Sequence, residues 1–222
     1  MPESNWTFVN EWRRLKRADL LARRMAMPSG ERARRNKAIA ALALEQLAGF
    51  KTAGIGFYWP FRGEPDLRRL VRSLLDGGAT ASLPVVVDKE RPLEFWSWRT
   101  GERLRPGVWD IPVPTRRKLV RPDVLLVPLL GFDEAGYRLG NGGGYYDRTL
   151  AATVPRPFTI GVGYELGRLK TIRPQPHDIP MDGIVTEAGA MLFLDRPDAA
   201  RPAERRPRQT PSRRPLVQEV AS

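Results

Sequence analysis

Four short stretches that are apolar at nearly every position, Ile55–Trp59, Ala81–Val87, Val124–Leu129 and Phe158–Tyr164, restrict this chain's fold more than any other feature. A strand with one wet face alternates in polarity, whereas a strand apolar on both faces must be covered on both, the condition of a parallel sheet flanked by helices. Helical periodicity fills the intervals. Leu67, Leu70, Val71, Leu74 and Leu75 recur on one face until Gly77-Gly78, and Tyr145 to Ala152 reads as another helix. Leu93–Trp98, rich in aromatic residues, is a further strand. At the front, Phe8, Trp12, Leu15, Ala18, Ala22 and Met25 share one helical stripe. Pro28-Ser29-Gly30 interrupts it before a second helix marked by Ile39, Leu42, Ala43 and Leu47 and stopped by Gly49. The expectation is an α/β fold: a three-layer sandwich with a mainly parallel central sheet and two N-terminal helices, a class whose ligands gather at the C-terminal ends of the strands.

A chain of 222 residues suffices for one such domain with a substantial core. Residues 1–196 are expected to form it. The excess charge, +12 at pH 7, sits at the two ends. Residues 1–40 carry ten basic and four acidic groups, a net +6, and residues 197–222 carry six and three, a net +3. The terminal stretch from Arg201 to Pro215 has several prolines, few apolar groups and no periodicity, and so is expected to be a disordered basic Pro/Arg-rich tail. Such a tail can touch RNA or anionic surfaces, or serve only as a solubilising extension; no nucleic-acid partner is expected from it. The absence of cysteine excludes disulfides, thiolate metal sites and a cysteine nucleophile. A cytoplasmic protein follows as the expectation. The opening residues from Met1 to Trp6 lack the apolar core of a signal peptide and no apolar run is long enough to span a bilayer, so no membrane association is expected.

Chemistry concentrates in Arg138-Leu139-Gly140-Asn141-Gly142-Gly143-Gly144-Tyr145-Tyr146-Asp147-Arg148, with four glycines among five residues. Glycines allow backbone N–H groups to turn toward an anion, a helix beginning near Tyr145 adds its positive dipole end, and flanking arginines add charged donors. Asp147 is an oxygen ligand of the kind a hard cation takes. Clustered glycines also make flexible loops, but those are bordered by Ser, Pro or charge, whereas a buried-strand pattern precedes this one and two tyrosines follow it. Neither a P-loop ending in Gly-Lys-Ser/Thr nor the Rossmann glycine spacing is present.

Several ordered motifs resemble the 5-formyltetrahydrofolate cyclo-ligase family, also called methenyltetrahydrofolate synthetase. They are Pro60-Phe61-Arg62-Gly63-Glu64, Leu83-Pro84-Val85-Val86, Trp109-Asp110-Ile111-Pro112-Val113-Pro114, the run from Pro128 through Gly131-Phe132-Asp133 to Asp147, Pro176-His177-Asp178, Met181-Asp182 and Val185-Thr186-Glu187. The resemblance implies ATP- and Mg²⁺-dependent cyclisation of 5-formyltetrahydrofolate to 5,10-methenyltetrahydrofolate with release of ADP and phosphate. It implies ATP contacts from Arg13, Arg17, Arg138, Gly140, Asn141, Gly142, Gly143, Gly144, Tyr145, Tyr146 and Asp147, with Asp147 also the metal ligand. It gives substrate contacts to Glu64, Trp109 and Tyr145, catalytic roles to Arg138 and Tyr145, and no protein nucleophile.

Read without the resemblance, Arg13 and Arg17 lie four apart on one helical face and reach a phosphate or form a solvated basic stripe. Glu64, which the resemblance makes an acceptor for a pterin, otherwise reads as a partner of a helix dipole. The lone His177, between Pro176 and Asp178, reads as a residue that orients its loop. Three positions depart from the family pattern: Arg13 stands where a lysine is usual, Lys16 where a leucine is usual, and Asn141 where an arginine, lysine or tyrosine is common. The alternative is therefore a family paralogue without this activity that acts as a nucleotide- or RNA-binding protein. A monomer is expected.

Overall fold

The computed structural model describes residues 3–50 and 53–193, with side chains from residue 6 onward. The disordered tail expected over 197–222, and the domain boundary at 196, lie outside the described residues. In chain order the elements are α1 (Glu3–Met25), α2 (Ser29–Gln46), β1 (Gly54–Gly56), α3 (Arg68–Asp76), β2 (Thr80–Val85), β3 (Glu94–Trp98), β4 (Leu104–Pro106), β5 (Pro112–Pro114), β6 (Val124–Pro128), β7 (Gly131–Phe132), β8 (Arg138–Leu139), α4 (Tyr145–Ala152), β9 (Phe158–Val162), β10 (Gly183–Thr186) and β11 (Gly189–Leu192).

Seven strands form one sheet in the order β11-β10-β9-β6-β1-β2-β3. The five inner strands are parallel, and the two edge strands, β3 and β11, are antiparallel to their neighbours. The apolar runs dictate this arrangement. On β6, Val124 and Leu126 join a core with Ile39, Ala43, Leu70 and Val71 of α2 and α3, while Leu125 and Val127 join a core on the other face with Leu150 of α4 and Ile184 of β10. Successive strand residues point to opposite faces, so a strand buried in two cores cannot carry polar positions. The sandwich has three layers, as expected.

From β1 the chain passes through α3 to β2 on one side, and later enters β6 on the other side of β1. Such a reversal leaves a crevice at the C-terminal ends of the strands flanking it. Tyr58 and Trp59 follow β1, Pro84 is the last residue but one of β2 and Pro128 ends β6, and all four line one cavity.

The stripe read on α1 is not its buried face. Phe8, Leu15 and Met25 are more than half exposed, whereas Val9, Arg13, Leu20 and Arg24 are buried. The reason is placement: the inward face of α1 meets loops at the strand ends, whose carbonyls and carboxylates take guanidinium groups. Among the described residues no helix is long and apolar enough to cross a membrane.

Close backbone approach makes one glycine indispensable to the packing. A Cβ at Gly167 would lie 2.3 Å from the Leu130 carbonyl oxygen, a backbone atom that cannot swing aside, whereas a Cβ at Gly30 in α2 would meet nothing within 4 Å. Gly167→Ala is expected to lower stability by about 1–3 kcal/mol through overpacking. Gly30→Ala is expected to be neutral or to add about 0.5–1 kcal/mol by removing a helical glycine. Urea unfolding of both variants checks the pair.

Candidate functional site

The cavity measures about 440 Å³ and collects residues from distant parts of the chain: Arg13, Arg17, Glu64, Trp109, Arg138, the loop Gly140–Gly144, Tyr145, Tyr146 and Asp147. Every candidate site residue named from the sequence lines this one space.

The glycine loop lies between β8 and α4. Gly142 and Gly144 hold φ of 97° and 64°, left-handed backbone open to glycine at little cost. Gly144 is the N-cap of α4 and no side chain caps that end, so the first-turn N–H groups keep donors for an outside acceptor. A Cβ at Gly143 would sit 2.7 Å from the Tyr145 ring. Around the loop stand four guanidinium groups, one of them Arg148, whose Nη2 donates to the Gly143 carbonyl at 2.8 Å. Arg17 Nε donates to the Gly140 carbonyl at 2.9 Å. Arg138 Nη1 donates to the Ile179 carbonyl at 2.9 Å, and its Nη2 pairs with Asp147 Oδ2 at 3.0 Å. Arg13 grips Asp178 with both terminal nitrogens, at 2.9 and 3.1 Å.

Asp147 accepts the Ile179 N–H on Oδ1 and faces Arg138 with Oδ2. Each oxygen keeps a lone pair, and among the described residues no group of three or more His, Cys, Asp or Glu side chains stands ready to cage a metal. A single carboxylate beside a loop with unpaired N–H donors fits a Mg²⁺ that takes most of its oxygens from other sources, the usual manner of that ion.

Across the cavity, Glu64 is 5 % exposed. Its Oε2 accepts the Phe61 N–H at 3.0 Å and its Oε1 accepts Asn141 Nδ2 at 3.4 Å. Burial pushes its pKa up, against the charge of Arg24 and these two donors. Phe61 and Trp109 stack at 6.5 Å and 13°, and Tyr145 meets Trp109 edge-on at 6.4 Å. Trp109 is 54 % exposed, and both it and Asp110 adopt positive φ, 56° and 58°. Two successive non-glycine residues in that region store about 1–3 kcal/mol each, a cost met where a site needs a particular orientation. Tyr58 is buried and Tyr146 half-buried near Glu64, and desolvation raises both phenol pKa values, so both rings stay neutral.

A scan against protein families matches residues 9–187 to the model described as the 5-formyltetrahydrofolate cyclo-ligase family. The chain belongs to this family. A 5-formyltetrahydrofolate cyclo-ligase of Mycolicibacterium smegmatis is 32% identical over 158 residues, covering 67% of this chain and 81% of that protein. Among solved structures, 5,10-methenyltetrahydrofolate synthetase of Aquifex aeolicus superposes with a TM-score of 0.72 at 29% identity, covering 82% of this chain and 93% of the other. The synthetase of Mycoplasma pneumoniae gives 0.64 at 25% identity, over 79% and 98%.

Three contributors escaped the sequence reading. Asp178, the bidentate partner of Arg13, was legible only as part of Pro176-His177-Asp178, and the structure gives it the loop-orienting task assigned to His177. It also accepts the Gln175 N–H, while the His177 side chain is 69% exposed with Nε2 4.0 Å from Asp178. Phe61, in the Pro60–Glu64 motif, gives Trp109 a stacking partner. Arg24 approaches Glu64 to 3.9 Å from outside the cavity.

The Arg13–Asp178 pair is nearly sealed, with side chains 6% and 7% exposed. Removing one partner strands a buried charge, so Asp178→Ala is expected to cost about 3–5 kcal/mol. Arg13→Met/Asp178→Leu should cost less than the summed single changes, as calorimetric melting of the three variants would register.

Proposed function

We propose that this cavity binds ATP with Mg²⁺ beside 5-formyltetrahydrofolate and closes the latter to 5,10-methenyltetrahydrofolate, releasing ADP and phosphate. The observation that carries the reading is the shared cavity: an anion-binding loop with Arg13, Arg17 and Arg138 on one side, and Glu64 with the Phe61–Trp109 stack on the other. Family membership supports the same chemistry.

The division of labour follows from charge. Uncapped N–H groups at the start of α4, with Arg17 and Arg138, receive the triphosphate and offset charge developing on the transferred phosphoryl group. Asp147 would hold Mg²⁺, which when bound neutralises phosphate charge and aligns the oxygens. Glu64 accepts N–H donors of the pterin and the aromatic faces hold its ring. The formyl oxygen attacks the γ-phosphorus and ADP leaves; N10 then attacks the activated carbon and gives up its proton to solvent, and the C–O bond breaks to release phosphate. Holding the two ligands in line supplies most of the acceleration, so no protein nucleophile is needed.

Asn141 gives the site a feature of its own. A neutral amide replaces a cation beside the triphosphate, and in exchange its Nδ2 reaches Glu64, joining the nucleotide loop to the substrate loop. Asn141→Arg is expected to lower KM for ATP, since a hydrogen bond to a charged group contributes about 1.5–3 kcal/mol.

Purified protein mixed with 5-formyltetrahydrofolate, ATP and Mg²⁺ is expected to develop the absorbance of the methenyl product. Arg138→Ala and Asp147→Asn should each reduce the rate by about a hundredfold or more, the scale for losing a group that stabilises transition-state charge. No turnover, together with salt-sensitive RNA binding that survives removal of the glycine loop, would instead favour a non-catalytic paralogue.

A further inference from the structure

Arg24 is the largest of the fully buried side chains, 2% exposed, and lies outside the set of residues that line the cavity. Its Nε donates to the carbonyl of Arg62 at 3.0 Å, its Nη1 lies 3.5 Å from the Leu129 carbonyl, and its Nη2, with no hydrogen-bond partner, stands 3.9 Å from Glu64 Oε1. Arg62 and Gly63, the residues before Glu64, hold φ of 46° and 73°. A non-glycine residue in that region persists only when its surroundings fix it.

We propose that Arg24 is a positioning residue for the folate side of the site: it anchors the Arg62 peptide and supplies, from beneath the cavity, the positive charge against which Glu64 keeps its carboxylate turned inward. This rests on the reading that Glu64 receives the pterin. The unbonded Nη2 is central. At 3.9 Å Arg24 steadies the charge on Oε1 without occupying it, so that oxygen, which accepts Asn141 Nδ2 at 3.4 Å, keeps its other lone pair for a ligand donor.

The groups facing this pair leave Arg24 as the charge that opposes burial. Tyr58, whose hydroxyl donates to the Pro65 carbonyl at 2.8 Å, and Tyr146 are neutral phenols; Asn141 is a neutral amide. Tyr164, near Arg24, is pushed up to about 12, chiefly by burial. Arg32 Nη2 donates to the carbonyls of Arg24 and Met27, at 3.2 and 3.1 Å, buttressing the end of α1 and lying under Gly63. Burial alone drives the carboxyl of Glu64 toward its neutral acid, which would offer a donor where the pterin needs an acceptor. The sign follows: Glu64 works above its raised pKa and fails as pH falls through it, and loss of the Arg24 charge raises that pKa further.

The test measures kcat/KM for 5-formyltetrahydrofolate against pH at saturating ATP, with KM for ATP and the melting temperature, in the full-length wild type, Arg24→Met, Arg24→Lys, Glu64→Gln and Arg24→Met/Glu64→Gln. Arg24→Met should raise KM for the folate by about tenfold or more, the worth of a lost charged contact. It should leave KM for ATP unchanged and move the acidic limb upward by about one pH unit, the scale for removing a neighbouring opposite charge. Arg24→Lys keeps a charge but not the fork, so the limb should stay in place while the folate KM rises. In the Glu64→Gln background, Arg24→Met should add much less. A folded Arg24→Met with its limb unmoved, parallel rises in both KM values, or an equal loss with and without Glu64 would overturn the proposal and leave Arg24 a structural residue. Should Arg24→Met fail to fold, Arg24→Lys decides alone: a raised folate KM with the limb in place supports the proposal, and an unchanged folate KM or a parallel rise for ATP overturns it. Turnover by the wild type tests the underlying reading separately, so a silent wild type and an unmoved limb are different failures.

Discussion

A row of guanidinium groups on the inner face of one helix is the interaction on which the rest of the site depends. Arg13, Arg17 and Arg24 of α1 are spaced by four and seven residues, which puts them on one side of the helix along about 16 Å. Each ties a different loop. Arg13 clasps Asp178 on the segment leading to β10, Arg17 holds the Gly140 carbonyl of the glycine loop, and Arg24 holds the Arg62 carbonyl of the loop after β1. Leu20 adds an apolar contact with Leu139 and Ile172, but Phe8, Leu15 and Met25 point outward, so the guanidinium ties carry much of the docking of α1 across the strand ends.

This mode of construction has an energetic logic. Loops at the ends of a parallel sheet expose backbone groups that need partners, and a cavity meant for an anion must stay polar and cannot be filled by apolar packing. Guanidinium groups answer both needs, since each carries five donors in a rigid fork and remains charged when half-buried. Arg13 and Arg17, which hold two of these loops, also line the cavity beside the glycine loop, together with Glu64 and neutral aromatic rings.

The layered fold was legible because its cause is local: strands buried on both faces have no polar positions, and Val124–Pro128 and Phe158–Val162 appear close to where the apolar runs place them. The glycine loop was legible because Gly142 and Gly144 need left-handed backbone. What stayed hidden is non-local. The partners of Arg13 and Arg17 lie 165 and 123 residues away, and no periodicity links them. The hydrophobic stripe of α1 does not mark its inward side, which Arg13 and Arg24 occupy instead, and spacing alone carries no sign of that. The antiparallel pair β10 and β11 was missed since Gly189, with φ of 156°, turns the chain in a segment too short to show alternation.

A common chamber for nucleotide and folate is the central claim, and the fate of one atom tests it most directly. With 5-formyltetrahydrofolate labelled by ¹⁸O in the formyl group, direct phosphorylation within the cavity sends the label into inorganic phosphate at one atom per methenyl product. Label released into water, or phosphate formed without it, would mean that ATP cleavage and ring closure do not share the site, and would contradict the account.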